Sequence, residues 1–226
     1  MPFKDRKHAG HELSESAELQ DLGNPVIVAL PRGAVSVALE IAQKLDAPLT
    51  VMPVEEIATP GKPEYIVGAV AENAIHVIDA DALAALGVTE DSLAVRVAEA
   101  TARIARLSKL YRGEDHNTAD VAGRPVVVVD DGSATAPTLE TVAVALARHK
   151  PESIILATPA PPDDNLQGYC RVVSVFRDEE HADGMALIGA WYDDRAAPSD
   201  KVAAKMVHDY AAARARRGGP DVATNR

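Results

Sequence analysis

Cysteine is almost absent from this chain. Cys170 stands alone among 226 residues, so no internal disulfide can form, and the composition suits a reducing compartment. Cys170 itself, beside an apolar run, reads as a small core hydrophobe. Aromatic residues are scarce as well, at 4% against a hydrophobic fraction of 47%, so the core must be built from Ala, Val, Leu and Ile. Excess positive charge is missing: a net charge of −11 argues against a broad nucleic-acid surface, which needs a basic field. Small anions held by local donors stay compatible with it. No run approaches the roughly 18 apolar residues of a membrane helix, and the start MPFKDRKHAG has no apolar leader core. A cytoplasmic protein is expected, with neither nucleic acid nor a membrane as partner. The seven histidines are scattered without a helical i, i+4 pair, and no zinc-type Cys/His spacing or internal repeat occurs.

The clearest positive signal is VVVVDDGSATAPTLETV, residues 126–142. Four successive valines, Val126–Val129, read as a strand buried on both faces, because a helix-covered parallel sheet has no polar side to alternate with. Asp130 and Asp131 fall at its carboxyl end, the edge at which open α/β sheets bind ligands. Small and hydroxyl residues follow, and from about Thr138 the residues Leu139, Val142, Ala143 and Leu146 share a helical face. Such an order suits a sugar phosphate: carboxylates accept from sugar hydroxyls, while free N–H groups at the positive end of a helix dipole take phosphate. The plainer alternative is an acidic pair that only favours the next helix N-terminus. A phospho-acceptor receiver domain also pairs a strand with two acids, but no strand-terminal Lys follows Asp178, and the strand–helix–strand unit before residue 60 would have no place in it.

The segment resembles the binding motif for 5-phosphoribosyl 1-pyrophosphate (PRPP) of the type I phosphoribosyltransferases. FKDRKHAG (3–10), VALPRGAVSVALEIAQKL (28–45), PGKPEYIVGAVAE (60–72), LYRG (110–113) and GAWYDDRAAPSD (189–200) are similar to bacterial phosphoribosyltransferase-domain proteins of unassigned substrate. The resemblance runs from about Phe3 to about Tyr210. It implies an α/β fold, with a mainly parallel central sheet of about five strands flanked by helices and a small hood. It implies PRPP as ligand, with Mg²⁺ arriving on PRPP rather than on a protein metal site, and a homodimeric assembly. Residue by residue, it puts Asp130 and Asp131 on the ribose 2′- and 3′-hydroxyls. Gly132, Ser133, Ala134, Thr135, Ala136 and Thr138 would surround the 5′-phosphate. Arg32 and Gly33, in the turn Pro31-Arg32-Gly33, would face the leaving pyrophosphate; a tight turn with a surface arginine is the alternative there. Trp191 and Tyr192 would pack near the C-terminal edge; stacking on a base is the alternative there.

This chain departs from the pattern in four places, one of them the long helix, which reads ARIARLSKL where relatives carry a run of the Glu-Leu-Glu-Arg-Arg type. Thr135-Ala136-Pro137-Thr138 replaces a Thr-Gly-Ala-Thr-like run; alanine resists left-handed dihedrals and proline has no N–H to donate, although it suits a first helical turn. Ala134 stands where the hypoxanthine-guanine branch commonly has an aspartate, so that proton handler is missing. Glu55 and Glu56 stand where relatives tend to carry Arg-Lys, and at the end of the second strand they would repel a diphosphate; Lys62 of the flap could substitute. Two functions follow. One is transfer of phosphoribosyl from PRPP to an unknown acceptor with release of pyrophosphate. The alternative is a catalytically inactive module that binds a nucleotide or sugar phosphate in a regulatory or scaffold role.

Along the chain, a single domain over residues 1–212 and a disordered tail over 213–226 are expected. Helices are read at 11–22, from Gly33 to Leu45, at 89–112 with Thr89 as cap, and at about 200–214. Strands are read at Val26–Leu30, Leu49–Val54, 126–129, Ser153–Thr158 and Arg171–Phe176, with an antiparallel hairpin in a flap over 58–79.

Overall fold

The computed structural model describes residues 3–113, 121–159, 168, 170–175 and 191–218. Phe176, Asp178, His116, His181 and the end of the tail lie outside the described residues. The chain opens with helices α1 (Arg6–Ser14) and α2 (Ala17–Gln20), then strand β1 (Val26–Ala29), helix α3 (Ala34–Lys44) and strand β2 (Leu49–Val51). Strands β3 (Glu55–Thr59), β4 (Lys62–Val70) and β5 (His76–Ile78) follow, with helices α4 (Ala80–Leu86) and α5 (Ala94–Arg112). Then come β6 (Pro125–Val129), α6 (Ala136–Ala147), β7 (Ser153–Thr158), β8 (Arg171–Ser174) and α7 (Asp200–Arg216).

Five strands form one parallel sheet in the order β2-β1-β6-β7-β8. The valine strand β6 is central: Val126–Val129 pair with Val26–Ala29 on one side and with Ile154–Ala157 on the other. Both neighbours and both faces exclude water, which is why an unbroken apolar run suits this position. The expected α/β architecture is the observed one. No helix among the described residues is long and apolar enough to cross a membrane.

The hood is a separate antiparallel sheet in the order β3-β4-β5. It has its own apolar cluster, in which Ile57, Val67 and Val70 meet Leu83 of α4 and Ala100 and Ile104 of α5. The expected hairpin is therefore β4 and β5, while the third strand, β3, has no counterpart in the sequence reading. Its presence moves Glu55 and Glu56. The second strand of the main sheet stops at Val51, because Pro53 has no N–H to continue a ladder, and the two glutamates begin β3 instead.

Other boundaries also differ. The first helix starts at Arg6 rather than residue 11, because the Asp5 carboxylate caps the His8 N–H. Residues 90–93 form a 3₁₀ turn ahead of α5, and the Thr89 side chain makes no cap. Helix α4, absent from the sequence reading, is capped by Asp79 and closed by Gly87 at φ 66°. Helix α7 runs to Arg216, so it takes in the first residues assigned to the tail.

Candidate functional site

Strand β6 ends at Val129 and delivers Asp130 and Asp131 to the carboxyl edge of the sheet, both only 4% exposed. Buried carboxylates must be hydrogen-bonded or paired, and each of these is, in a different way. Asp130 Oδ2 accepts the N–H groups of Gly132 at 2.8 Å and Ala134 at 3.3 Å, which folds the loop back over the strand end. Gly132 has φ 86°, a left-handed conformation that glycine adopts without strain. Burial, followed by the charge of Asp131, pushes the Asp130 carboxyl up to about 7, against the pull of its backbone hydrogen bonds.

Asp131 is paired with Arg6, whose Nε donates to Oδ2 at 2.7 Å. The Arg6 guanidinium also donates from Nη1 to the carbonyls of Arg195 at 3.0 Å and Ala196 at 3.3 Å, and lies 4.7 Å from the centre of the Tyr192 ring. The Tyr192 hydroxyl donates to the Asp131 carbonyl at 2.8 Å. Tyr192 packs on Phe3 and Ala9, and Trp191 stands beside Gly132. The two aromatics thus lie behind the acidic pair. Arg6 and the hydroxyl of Tyr192 are site groups that the sequence reading misses. The sequence signal is FKDR itself, but nothing in a run of charged residues says that one of them is buried.

The Pro31-Arg32-Gly33 turn follows β1, the strand beside β6, and its Pro31–Arg32 peptide is cis. Gly33 has no room for a side chain: a Cβ there would lie 2.0 Å from Asp131 Oδ2 and 2.7 Å from Arg6 Nε. Arg32 is exposed, and no hydrogen bond or ion pair holds its side chain among the described residues. It lies close enough to Tyr111 to oppose the rise in that phenol's pKa, which burial and a hydrogen bond to Asp200 cause.

Loop 132–135 leads into α6, with Thr135 at the N-cap and Pro137 in the first turn. The N–H groups of Ser133, Thr135 and Ala136 have no acceptor among the described residues. The Thr135 and Thr138 hydroxyls, however, are engaged. Both lie within hydrogen-bond reach of Glu56 Oε1, at 2.9 and 3.1 Å, and they are 2.9 Å from each other. Glu55 points elsewhere: its Oε2 accepts from Arg103 Nε of α5 at 3.1 Å. The two glutamates expected to act together at a diphosphate therefore do different things, one tied to the long helix and one to the loop assigned to the 5′-phosphate. The structure brings Asp130, Asp131, Gly33 and the 132–138 loop together. Lys62 lies at the start of β4, exposed.

A family model described as the phosphoribosyl transferase domain matches residues 5–182. Two Mycobacterium tuberculosis proteins, from strains CDC 1551 and H37Rv and provisionally named phosphoribosyl transferases, are 34% identical over 165 residues, 72% of this chain. That match takes in 36% of each of them, so the chain spans about a third of the length of these curated relatives. A solved structure of a Thermus thermophilus protein superposes with a TM-score of 0.73 at 30% identity, covering 93% of this chain and 99% of that one.

Proposed function

The chain belongs to the phosphoribosyl transferase domain family, and we propose that it binds PRPP or another ribose 5-phosphate ligand and transfers the phosphoribosyl group to an acceptor. One observation carries this: an acidic pair, an arginine-bearing turn pressed against it, and a helix N-terminus whose first N–H groups have no acceptor among the described residues all meet at one edge of the sheet. Asp130 and Asp131 would orient the ribose hydroxyls; Asp131 keeps Oδ1 outside its pair with Arg6. Loop 132–138 would hold the 5′-phosphate, and Arg32 the diphosphate. The acceptor attacks C1 of the ribose while the bond from C1 to the diphosphate oxygen breaks, through an oxocarbenium-like state, and the electron pair leaves with pyrophosphate. Positioning and stabilisation of the leaving charge supply the catalysis. Mg²⁺ comes as part of the substrate, on the diphosphate. A cytoplasmic homodimer, with one domain over residues 1–212, completes the proposal.

The experiment is calorimetric titration with Mg-PRPP, joined to an assay of pyrophosphate release over a panel of nucleobases. Arg32→Ala removes one charge-assisted contact, worth roughly 1.5–3 kcal/mol, and should weaken Mg-PRPP binding about 10- to 100-fold. Unchanged affinity would rule Arg32 out as a diphosphate ligand. A second function, binding of a nucleotide or sugar phosphate without chemistry, is favoured by Pro137, which removes one N–H donor from the first turn of α6. Tight binding with no pyrophosphate released from any acceptor would select it.

A further inference from the structure

The contact between Glu56 and the loop changes what the loop can accept. Two hydroxyl protons, from Thr135 and Thr138, are shared among three oxygens that lie within 3.1 Å of one another, and one of the three belongs to a carboxylate. Thr138 is 4% exposed, so its hydroxyl has little water to turn to. The backbone under Glu56 is firmly placed: Glu56 pairs opposite Ala69, and the next residue, Ile57, is sealed in the hood cluster. The Glu56 side chain itself is exposed, so it can leave without disturbing that packing. A phosphate held by the same two hydroxyls would need an oxygen where Glu56 Oε1 lies. Glu55 does not compete, since Arg103 holds it against α5.

We infer that Glu56 is a specificity-determining residue, a resident anion in the phosphate loop that a 5′-phosphorylated ribose must displace. A ribose with a free 5′-hydroxyl need not displace it, because that hydroxyl can donate to the carboxylate. The inference rests on residues 132–138 being the phosphate loop. Its chemistry is selective against a dianion at one position of the ligand, not against ribose as such.

The test titrates ribose 5-phosphate and D-ribose into the unmodified protein, Glu56→Gln and Glu56→Ala. Glutamine keeps the shape and an acceptor for the threonine hydroxyls, and coincident unfolding transitions check that all three proteins are folded. Ribose 5-phosphate affinity should rise at least roughly tenfold in both variants, as removal of a like charge about 4 Å from a phosphate requires. D-ribose affinity should not rise in Glu56→Gln, because the amide oxygen is a weaker acceptor for the 5′-hydroxyl than the carboxylate. Adding Thr135→Ala and Thr138→Ala to Glu56→Gln should abolish the gain. If all three proteins bind ribose 5-phosphate alike and the threonine changes still weaken binding, the inference about Glu56 falls and the phosphate loop stands. If none binds ribose 5-phosphate, both fall.

Discussion

Replacing Arg6 by methionine should be among the most damaging single changes outside the apolar core. The side chains of Arg6 and Asp131 are 8% and 5% exposed, so the pair is dry. Arg6→Met leaves Asp131 as a buried carboxylate without its cation and strips a donor from the carbonyls of Arg195 and Ala196. Removing one partner of a buried pair costs about 3–5 kcal/mol. Loss of the contact over Tyr192 adds about 0.5–1 kcal/mol, part of which the methionine stem returns by packing. A domain is typically stable by only about 5–15 kcal/mol, so roughly a fifth of the total or more is at stake. At about 2–4 °C per kcal/mol for a chain of this size, the unfolding midpoint should fall by about 6–20 °C. Urea unfolding followed by far-UV circular dichroism gives the free energy directly. The cause is separated by a cycle with Asp131→Asn. Asparagine removes the stranded charge, so the double variant should recover at least half of what Arg6→Met loses, with a coupling of about 2 kcal/mol or more. A loss under about 1 kcal/mol for Arg6→Met, or strictly additive effects in the cycle, would refute the ion pair as the reason Arg6 is buried.

Asp130 gives a prediction about pH. Its carboxyl is raised to about 7 in the folded protein, mainly by burial, against about 3.9 in an unfolded chain. The folded state therefore keeps a proton that the unfolded state has released. The contribution is complete below about pH 4 and is lost as pH climbs toward 7, with a slope of at most about 1.4 kcal/mol per unit. Asp130→Asn, which can still accept the Gly132 and Ala134 N–H groups, should flatten stability over that window; parallel curves for the two proteins would show that Asp130 does not titrate there. Gly33→Ala should lower stability by about 1–3 kcal/mol or more, because its Cβ would fall 2.0 Å from Asp131 Oδ2. Urea unfolding checks it, and a neutral result would mean that the turn after β1 can move off the acidic pair.

Much of the fold is legible in the sequence because the decisive patterns are local. Val126–Val129 announce a strand covered on both faces, and Gly33 through Leu45 carry a plain helical stripe. β3 is not legible, since EEIAT has no alternation of its own and is a strand only because β4 lies beside it. The limit at Val51 is written in Pro53, which the apolar run LTVMPV conceals. In the site, Asp130 and Asp131 stand next to each other in sequence and announce themselves together. The Arg6–Asp131 pair joins residues 125 apart, and the Glu56–Thr135 contact joins residues 79 apart. No periodicity carries information across such gaps; the pairing exists only once the sheet and the hood are in place.

The pairing of Arg6 with the carbonyls of Arg195 and Ala196 sets a timetable for the growing chain. Those partners are made 189 and 190 residues after the arginine, which at roughly 5–20 residues per second means a wait of about 10–40 s. Through that interval helix α1 has no aromatic wall behind it, and Phe3 has no Tyr192 to bridge to. The nascent protein can pair β1, β2 and β6 long before it can close the ring of contacts around Asp131. Closure of the contacts around Asp131 should thus arrive abruptly, once residues 191–196 are made, and any truncation that removes Tyr192 or its neighbours should leave a sheet that folds around an open ring.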